Sequence, residues 1–111
     1  YFYVAQVGDE IVGYVGFWRV ADEAHITSVT VRKECRGQGY GRMLTQFILD
    51  VASGIGMLRA TLEVRISNIR AQNLYKDVGF EVVGLRKNYY RKTQEDALLM
   101  TRDIAPGEHF L

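Results

Sequence analysis

A glycine loop with the sequence RGQGYG at residues 36–41 constrains the fold of this 111-residue chain more than any other feature. An apolar, β-branched run from Ile26 to Val31 precedes the loop, and an amphipathic stretch from Met43 to Ile55 follows it. The three glycines lack Cβ atoms, so a ligand can lie against the main chain. Unpaired N–H groups and the helix dipole favour an anion at a helix start, and the loop therefore predicts a phosphate or pyrophosphate site.

The spacing of the loop excludes two other phosphate-binding motifs. No Gly-Lys-Ser/Thr follows, as a Walker loop requires, and the glycines do not form the G-x-G-x-x-G of the dinucleotide fingerprint. The remaining pattern, Arg36-x-x-Gly39-x-Gly41, resembles the coenzyme A loop of the Gcn5-related N-acetyltransferase superfamily.

Two later blocks strengthen this resemblance. The first begins at Leu62 with LEVR-x-SN and continues to Phe80 with A-x-x-LY-x-x-x-GF, and the second is RKNYY at 86–90 followed by EDA at 95–97. Together they resemble the ribosomal-protein-alanine N-acetyltransferase branch of the superfamily, over roughly residues 17–101. The family's first strand and two helices, which form one wall of its acceptor site, are missing from this sequence, so we expect an N-terminally truncated domain.

The order of elements predicts one domain over residues 1–111 of the α/β (α+β) class, with a mixed, mainly antiparallel sheet and helices on its faces. Hydrophobic periodicity predicts strands at 1–7, 11–20, 24–31, 58–64, 80–89 and 96–102. We expect a turn region at 88–90 and a loose tail, containing the only proline, at 103–111.

Apolar stripes predict the buried faces of two helices. On the first helix the stripe consists of Met43, Leu44, Phe47, Ile48, Val51, Ala52 and Ile55. On the second, which Ser67 or Asn68 can cap, it consists of Ala71, Leu74, Tyr75 and Val78.

A break in the alternation of the third strand predicts a β-bulge. Ile26 is out of phase with Val29 and Val31, which one extra residue between positions 27 and 29 explains. The resemblance implies the same feature, because this superfamily has a bulge here that frees backbone groups for the pantetheine arm and the thioester.

The resemblance implies acetyl-CoA as the co-substrate and assigns its contacts. Main-chain groups of Val29, Thr30 and Val31 would contact the pantetheine arm. The pyrophosphate would lie on the loop, formed by Arg36, Gly37, Gln38, Gly39, Tyr40, Gly41 and Arg42. Asn68 would contact the coenzyme near the pantetheine, although it can equally serve as a helix N-cap, and Arg42 can equally be a surface arginine.

Glu63 is the candidate general base. Acyl transfer from a thioester to an amine requires a neutral amine, and a carboxylate near a strand end can take the ammonium proton directly or through water. By pattern alone, Glu63 can equally be a solvated strand residue on the face opposite Leu62 and Val64. The resemblance places it at the family's proton acceptor.

Tyr75 is the candidate general acid for the leaving thiolate. A phenol with an ordinary pKa near 10 keeps its proton at neutral pH and can give it to a thiolate. Its position on the stripe of the second helix also fits an aromatic side chain packed on the sheet. The resemblance places Tyr75, twelve residues after Glu63, at the family's proton donor.

Other reactive or aromatic residues receive weaker assignments. Cys35 has no accompanying His/Asp constellation, and neither His25 nor His109 has metal-ligand spacing, so we expect no nucleophilic cysteine and no metal. Aromatic side chains can line the acceptor groove or pack on the sheet, namely Trp18, Tyr89 and Tyr90. The basic cluster of Arg86, Lys87, Arg91 and Lys92 fits a solvated strand end.

Composition limits the partners. The net charge is +1 and the basic residues are dispersed, so we expect no nucleic-acid partner. No run approaches the length of a membrane span, and the one cysteine forms no internal disulfide, so we expect a cytoplasmic protein without a membrane partner. The oligomeric state is not predicted.

Three functions are compatible with these residues. The first is acetylation of a protein N-terminal α-amine, with the resemblance pointing to a ribosomal protein that begins with Ala. The second is a coenzyme-binding module without acceptor activity, since the wall of the acceptor site is missing. The third is acetylation of a small amine or a lysine.

Overall fold

The computed structural model describes residues 1–111, which form one six-stranded sheet, two α-helices and a short 3-10 turn at Lys33–Cys35. The elements in chain order are β1 (Phe2–Val7), β2 (Glu10–Val20), β3 (Glu23–Val31), α1 (Tyr40–Gly54), β4 (Arg59–Arg65), α2 (Ile69–Asp77), β5 (Glu81–Tyr90) and β6 (Glu95–Asp103). Every predicted element is present, with ends that differ by a few residues. Neither helix is long and apolar enough to cross a membrane.

The sheet has the strand order β1-β2-β3-β4-β6-β5, and only the β3–β4 pair is parallel. The predicted mixed, mainly antiparallel sheet is therefore confirmed. The parallel pair is short, because β3 and β4 pair only where Glu23, Ala24 and His25 lie opposite residues 59–61. Beyond this point the two strands have no ladder bonds to each other, and the sheet is open between them.

The predicted β-bulge is present on β3. Ser28 pairs with Gly16 and Ile26 pairs with Phe17, so Thr27 is the extra residue. Ile26 is buried in the core, and Val29 and Val31 beyond the bulge pack against it.

Both helices pack on the same face of the sheet and contact each other. A Cβ atom at Gly41 of α1 would lie 3.2 Å from Leu74 Cδ2 of α2, so the glycine allows a close helix contact. The core below them is apolar and includes Val15, Ile48 and Leu62. On the other face of β1 and β2, aromatic and aliphatic side chains are exposed, namely Phe2, Val4, Tyr14 and Trp18.

The predicted buried stripe of α1 was wrong at Met43, whose side chain is 43% exposed. Thr45 and Leu49 are buried instead, next to Leu44 and Ile48. Thr45 tolerates burial because its hydroxyl donates a hydrogen bond of 2.7 Å to the Gly41 carbonyl.

The predicted loose tail was also wrong. Ile104 is buried in the core, and its N–H donates to the Leu58 carbonyl at 2.9 Å. Near the chain end, the Phe110 N–H donates to Asp50 Oδ1 of α1 at 2.6 Å. The tail therefore fastens β6 to the first helix.

The turn between the last two strands lies later than predicted. β5 continues through Tyr90, and residues 91–94 form the turn. Asn88 has a positive φ of 52°, and the pairing register shifts between Arg86 and Tyr90. The strand is irregular at 88–90 without ending there, which explains why the sequence pattern indicated a turn.

Candidate active site

Beside the end of β3 there is a cavity of about 480 Å³. It lies between the end of β3, the glycine loop and the first turns of α1 and α2. Residues that line it are Val29, Thr30, Val31, Cys35, Arg36, Gly37, Gly39, Tyr40, Gly41, Arg42, Asn68, Arg70, Ala71, Leu74 and Tyr75. All residues predicted to contact the coenzyme, except Gln38, are therefore brought together at one cavity.

The glycine loop has the geometry that an anion site requires. Gly37 and Gly39 have φ angles of 83° and 85°, a region that side chains with a Cβ atom rarely adopt. The backbone N–H groups of residues 37–42 donate to no backbone carbonyl. They are free donors at the start of α1, whose first turn contains no acidic residue.

Two of the arginines at the cavity already have partners in the protein. Arg42 Nη2 lies 3.2 Å from Asp77 Oδ2 of α2, which joins the two helices. Arg36 Nε donates to the Val31 carbonyl at 3.2 Å and holds the loop against the end of β3.

Asn68 and Gln72 fix the start of α2 at the cavity. Asn68 is the N-cap, and its Oδ1 accepts the Ala71 N–H at 3.1 Å. The buried Gln72 side chain donates to the carbonyls of Arg65 and Ile66 at 3.0 and 2.9 Å. The capping function predicted for Asn68 is confirmed, and the same residue lines the cavity.

Tyr75 is buried, with 8% of its surface exposed, and it borders the cavity. Its ring meets Phe80 edge-on, with centroids 5.9 Å apart. Burial raises the pKa of Tyr75 to about 12, with a smaller contribution from Tyr90. The phenol is therefore more strongly protonated than its ordinary pKa near 10 suggests.

Glu63 lies on the opposite side of β4 from the core residues Leu62 and Val64, and its side chain is only 6% exposed. Glu63 Oε2 lies 2.7 Å from His25 Nε2 on β3, and Oε1 lies 3.7 Å from Arg86 Nε on β5. The carboxylate is therefore held between two basic side chains from different strands and is not a freely solvated strand residue.

The tyrosine pair at the end of β5 lies outside the cavity. Tyr89 is 42% exposed, and its ring meets Tyr90 edge-on with centroids 5.1 Å apart. The Arg65 guanidinium lies 3.9 Å from the centroid of the Tyr90 ring and also contacts Glu95. Burial raises the pKa of Tyr90, and the Arg65 cation opposes this effect.

The sequence did not indicate several residues that the structure brings to these positions. Arg70, Ala71 and Leu74 line the cavity because the first turns of α2 face the loop. His25 and Arg86 contact Glu63. The sequence indicates for His25 only that it lacks metal-ligand spacing, and for Arg86 only a solvated strand end. Basic residues on strands flanking a candidate base were the only available signal.

The sequence and the fold were compared with known proteins. The sequence model described as "Acetyltransferase (GNAT) family" matches residues 1–80. The N-alpha-acetyltransferase RimI of Mycobacterium tuberculosis is 41% identical over an alignment of 103 residues, and the match covers 89% of this chain and 63% of that protein. The chain spans less than two thirds of the length of the curated relatives it matches.

Solved structures with the same fold include two acetyltransferases. The ribosomal-protein-S18-alanine N-acetyltransferase from Escherichia coli has a TM-score of 0.82 at 32% identity, covering 96% of this chain and 70% of that one. A GNAT family acetyltransferase from Elizabethkingia anophelis, solved with acetyl-CoA bound, has a TM-score of 0.87 at 21% identity, covering 93% and 75%.

Proposed function

This chain belongs to the acetyltransferase (GNAT) family, and from that premise we propose that it transfers the acetyl group of acetyl-CoA to the N-terminal α-amine of a protein. The observation that carries the proposal is the cavity between the end of β3, the glycine loop and the first turns of α1 and α2. It joins a set of free backbone donors on the glycine loop to a buried phenol at Tyr75.

The loop fits the pyrophosphate of acetyl-CoA. The N–H groups of residues 37–42 have no backbone acceptor in the protein. Phosphate oxygens can accept these hydrogen bonds. Gly37 and Gly39 have positive φ angles, and neither has a Cβ atom that would obstruct a ligand on the loop. Val29 to Val31 and Asn68 then lie along the path of the pantetheine arm.

Glu63 is the base in this mechanism. It takes a proton from the acceptor ammonium, directly or through a water molecule, and leaves a neutral amine. His25 Nε2, 2.7 Å from Glu63 Oε2, is placed to receive that proton, and its side chain is 35% exposed, so it can release the proton to solvent. Arg86 Nε, 3.7 Å from Glu63 Oε1, holds the other carboxylate oxygen in place.

Tyr75 is the acid. Acetyl-CoA supplies an acetyl thioester, in which the C–S bond breaks as the new C–N amide bond forms. Tyr75 gives its proton to the leaving thiolate and recovers one from the amine nitrogen, so that a thiol and one solvent proton are the remaining products. Tyr75→Phe is expected to slow transfer while coenzyme binding is retained.

An α-amine is the acceptor that this machinery serves best. Its pKa is near 8 against about 10.4 for lysine, so several hundredfold more of it is neutral at pH 7. Relatives named for N-alpha and ribosomal-protein-alanine acetylation support the same choice. We therefore propose a protein N-terminus beginning with Ala, or with another small residue such as Ser, and a ribosomal protein as its source, with Tyr89 and Tyr90 along the peptide path.

Mass spectrometry of a peptide with a free N-terminal Ala and an internal lysine tests this proposal. We expect one acetyl group, located on the α-amine. A peptide with the same sequence and a blocked N-terminus is the control and should remain unmodified. Acetyl on lysine alone would contradict the α-amine assignment, and coenzyme binding without any transfer would leave a coenzyme-binding module as the function.

A further inference from the structure

Arg70 is the one cavity arginine that has no partner in the protein. It lies in the first turn of α2, on the wall that faces the glycine loop. A Cβ atom built on Gly37 would lie 3.4 Å from Arg70 Nη2, so the guanidinium already reaches the loop. No carboxylate lies within 4.0 Å of it, in contrast to Arg42, which pairs with Asp77.

The surroundings of Arg70 are positive and contain no compensating group. The first turns of both α1 and α2 lack acidic residues, and a cation near a helix N-terminus is disfavoured by the helix dipole. The free N–H groups of residues 37–42 add further positive partial charge on the opposite wall. An anion placed between the loop and Arg70 would contact the free N–H groups on one side and the guanidinium on the other.

We propose that Arg70 binds the pyrophosphate seated on the glycine loop from the facing wall, so that the phosphates are held between α2 and the start of α1. This inference rests on the proposed function, because it requires the coenzyme to occupy the cavity. It makes Arg70 a coenzyme-binding residue that the loop motif does not contain. Arginine suits this position because its planar guanidinium can donate two parallel hydrogen bonds to phosphate oxygens.

The test is the affinity of the full chain for three probes, measured by calorimetry: CoA, dephospho-CoA, which lacks the 3′-phosphate, and pantetheine, which lacks all phosphates. Arg70→Gln is expected to weaken CoA and dephospho-CoA by the same factor, about 5-fold or more for a charge-assisted hydrogen bond at an exposed side chain. Pantetheine affinity should not change.

Two variants control for charge and for geometry. Arg19→Gln removes an exposed, unpaired arginine on β2 and should leave all three affinities unchanged. Arg70→Lys retains the charge without the planar fork and should recover only part of the loss.

The outcomes separate this inference from the proposed function. If wild-type protein binds no CoA, the proposed function fails. If wild-type protein binds CoA, three results in Arg70→Gln would overturn the inference about Arg70. Unchanged affinities would show that Arg70 does not bind the coenzyme, and a loss confined to CoA would indicate contact with the 3′-phosphate. An equal loss for pantetheine would indicate a distorted cavity.

Discussion

The glycine loop offers backbone N–H groups from six consecutive residues, 37–42, whereas the Glu63 carboxylate on the opposite face of the sheet is held by His25 and Arg86 from two other strands. In the first region the backbone carries the function, and the three glycines matter because they lack Cβ atoms. In the second region the side chains carry the chemistry and the backbone only sets their spacing. The comparison predicts that substitutions in the loop change binding, and that substitutions around Glu63 change rate.

The largest expected effect is loss of coenzyme binding in Gly39→Glu. The substitution puts a side chain on a residue with φ of 85° and adds a negative charge where a pyrophosphate would lie. A ligand that binds only the folded state raises its melting temperature, so wild-type protein should show a thermal shift with CoA and the variant should show none.

Gly56→Glu is the matched control for that experiment. Gly56 has the same φ of 85° and open space around its Cβ position, but it lies beyond the other end of α1. Both variants should lose stability from backbone strain, and only Gly39→Glu should lose the CoA shift. A full shift in Gly39→Glu would contradict the assignment of the loop as the phosphate site.

The second expected effect is a rate loss of about 100-fold in Glu63→Gln, the usual contribution of a general base. The loss should be greatest at lower pH, where more of the acceptor amine is protonated. The KM for acetyl-CoA should remain unchanged, because Glu63 does not line the cavity. Steady-state kinetics of thiol release measure both quantities.

Glu81→Gln is the control, since Glu81 is an exposed, unpaired carboxylate on β5. It should retain the wild-type rate. If Glu63→Gln also retains that rate, Glu63 is not the base. If Glu63→Gln also weakens CoA binding, the surroundings of Glu63 contribute to coenzyme binding as well as to rate.

The same comparison explains why the sequence predicted the glycine loop better than the surroundings of Glu63. The loop, the start of α1 and the cap at Asn68 depend on residues that are close in sequence, so local patterns predicted them. The bulge at Thr27 was readable because it shifts the alternation of a single strand. The prediction that Met43 is buried was wrong, because an apolar residue at the edge of a helical stripe can face solvent.

The surroundings of Glu63 depend on register between strands that are far apart in sequence. His25 reaches Glu63 through a parallel pairing that lasts only three residues, and no local pattern specifies that pairing. Arg86 reaches it from β5, whose register against β6 shifts twice. The order of the tail at 103–111 escapes a local pattern for the same reason, because Phe110 and its partner Asp50 are sixty residues apart in the sequence.

The third expected effect is a rate loss of about 10-fold in His25→Gln, smaller than that of Glu63→Gln because solvent can still take the proton slowly. High concentrations of a small buffer such as imidazole should restore part of the rate, since the buffer replaces a proton relay but not a packing contact. His109→Gln, which removes the other histidine at an exposed site, is the control. A loss that no buffer restores would indicate that His25 only positions Glu63.

The smallest expected effect is spectroscopic and concerns Tyr75, the proposed acid, which borders the cavity. Its pKa of about 12 exceeds the ordinary value near 10, so the folded protein holds this proton more firmly than the unfolded chain does. The contribution of this phenol to the free energy of unfolding is fully present below pH 10 and is lost as the pH rises towards 12, an effect of about 2–3 kcal/mol for this buried group.

An absorbance titration of the seven tyrosines should contain a late step near pH 12 that Tyr75→Phe removes and Tyr14→Phe retains. If Tyr75→Phe leaves the late step in place, that step belongs to another tyrosine, and the Tyr75 phenol is not shielded from solvent in the way its burial requires.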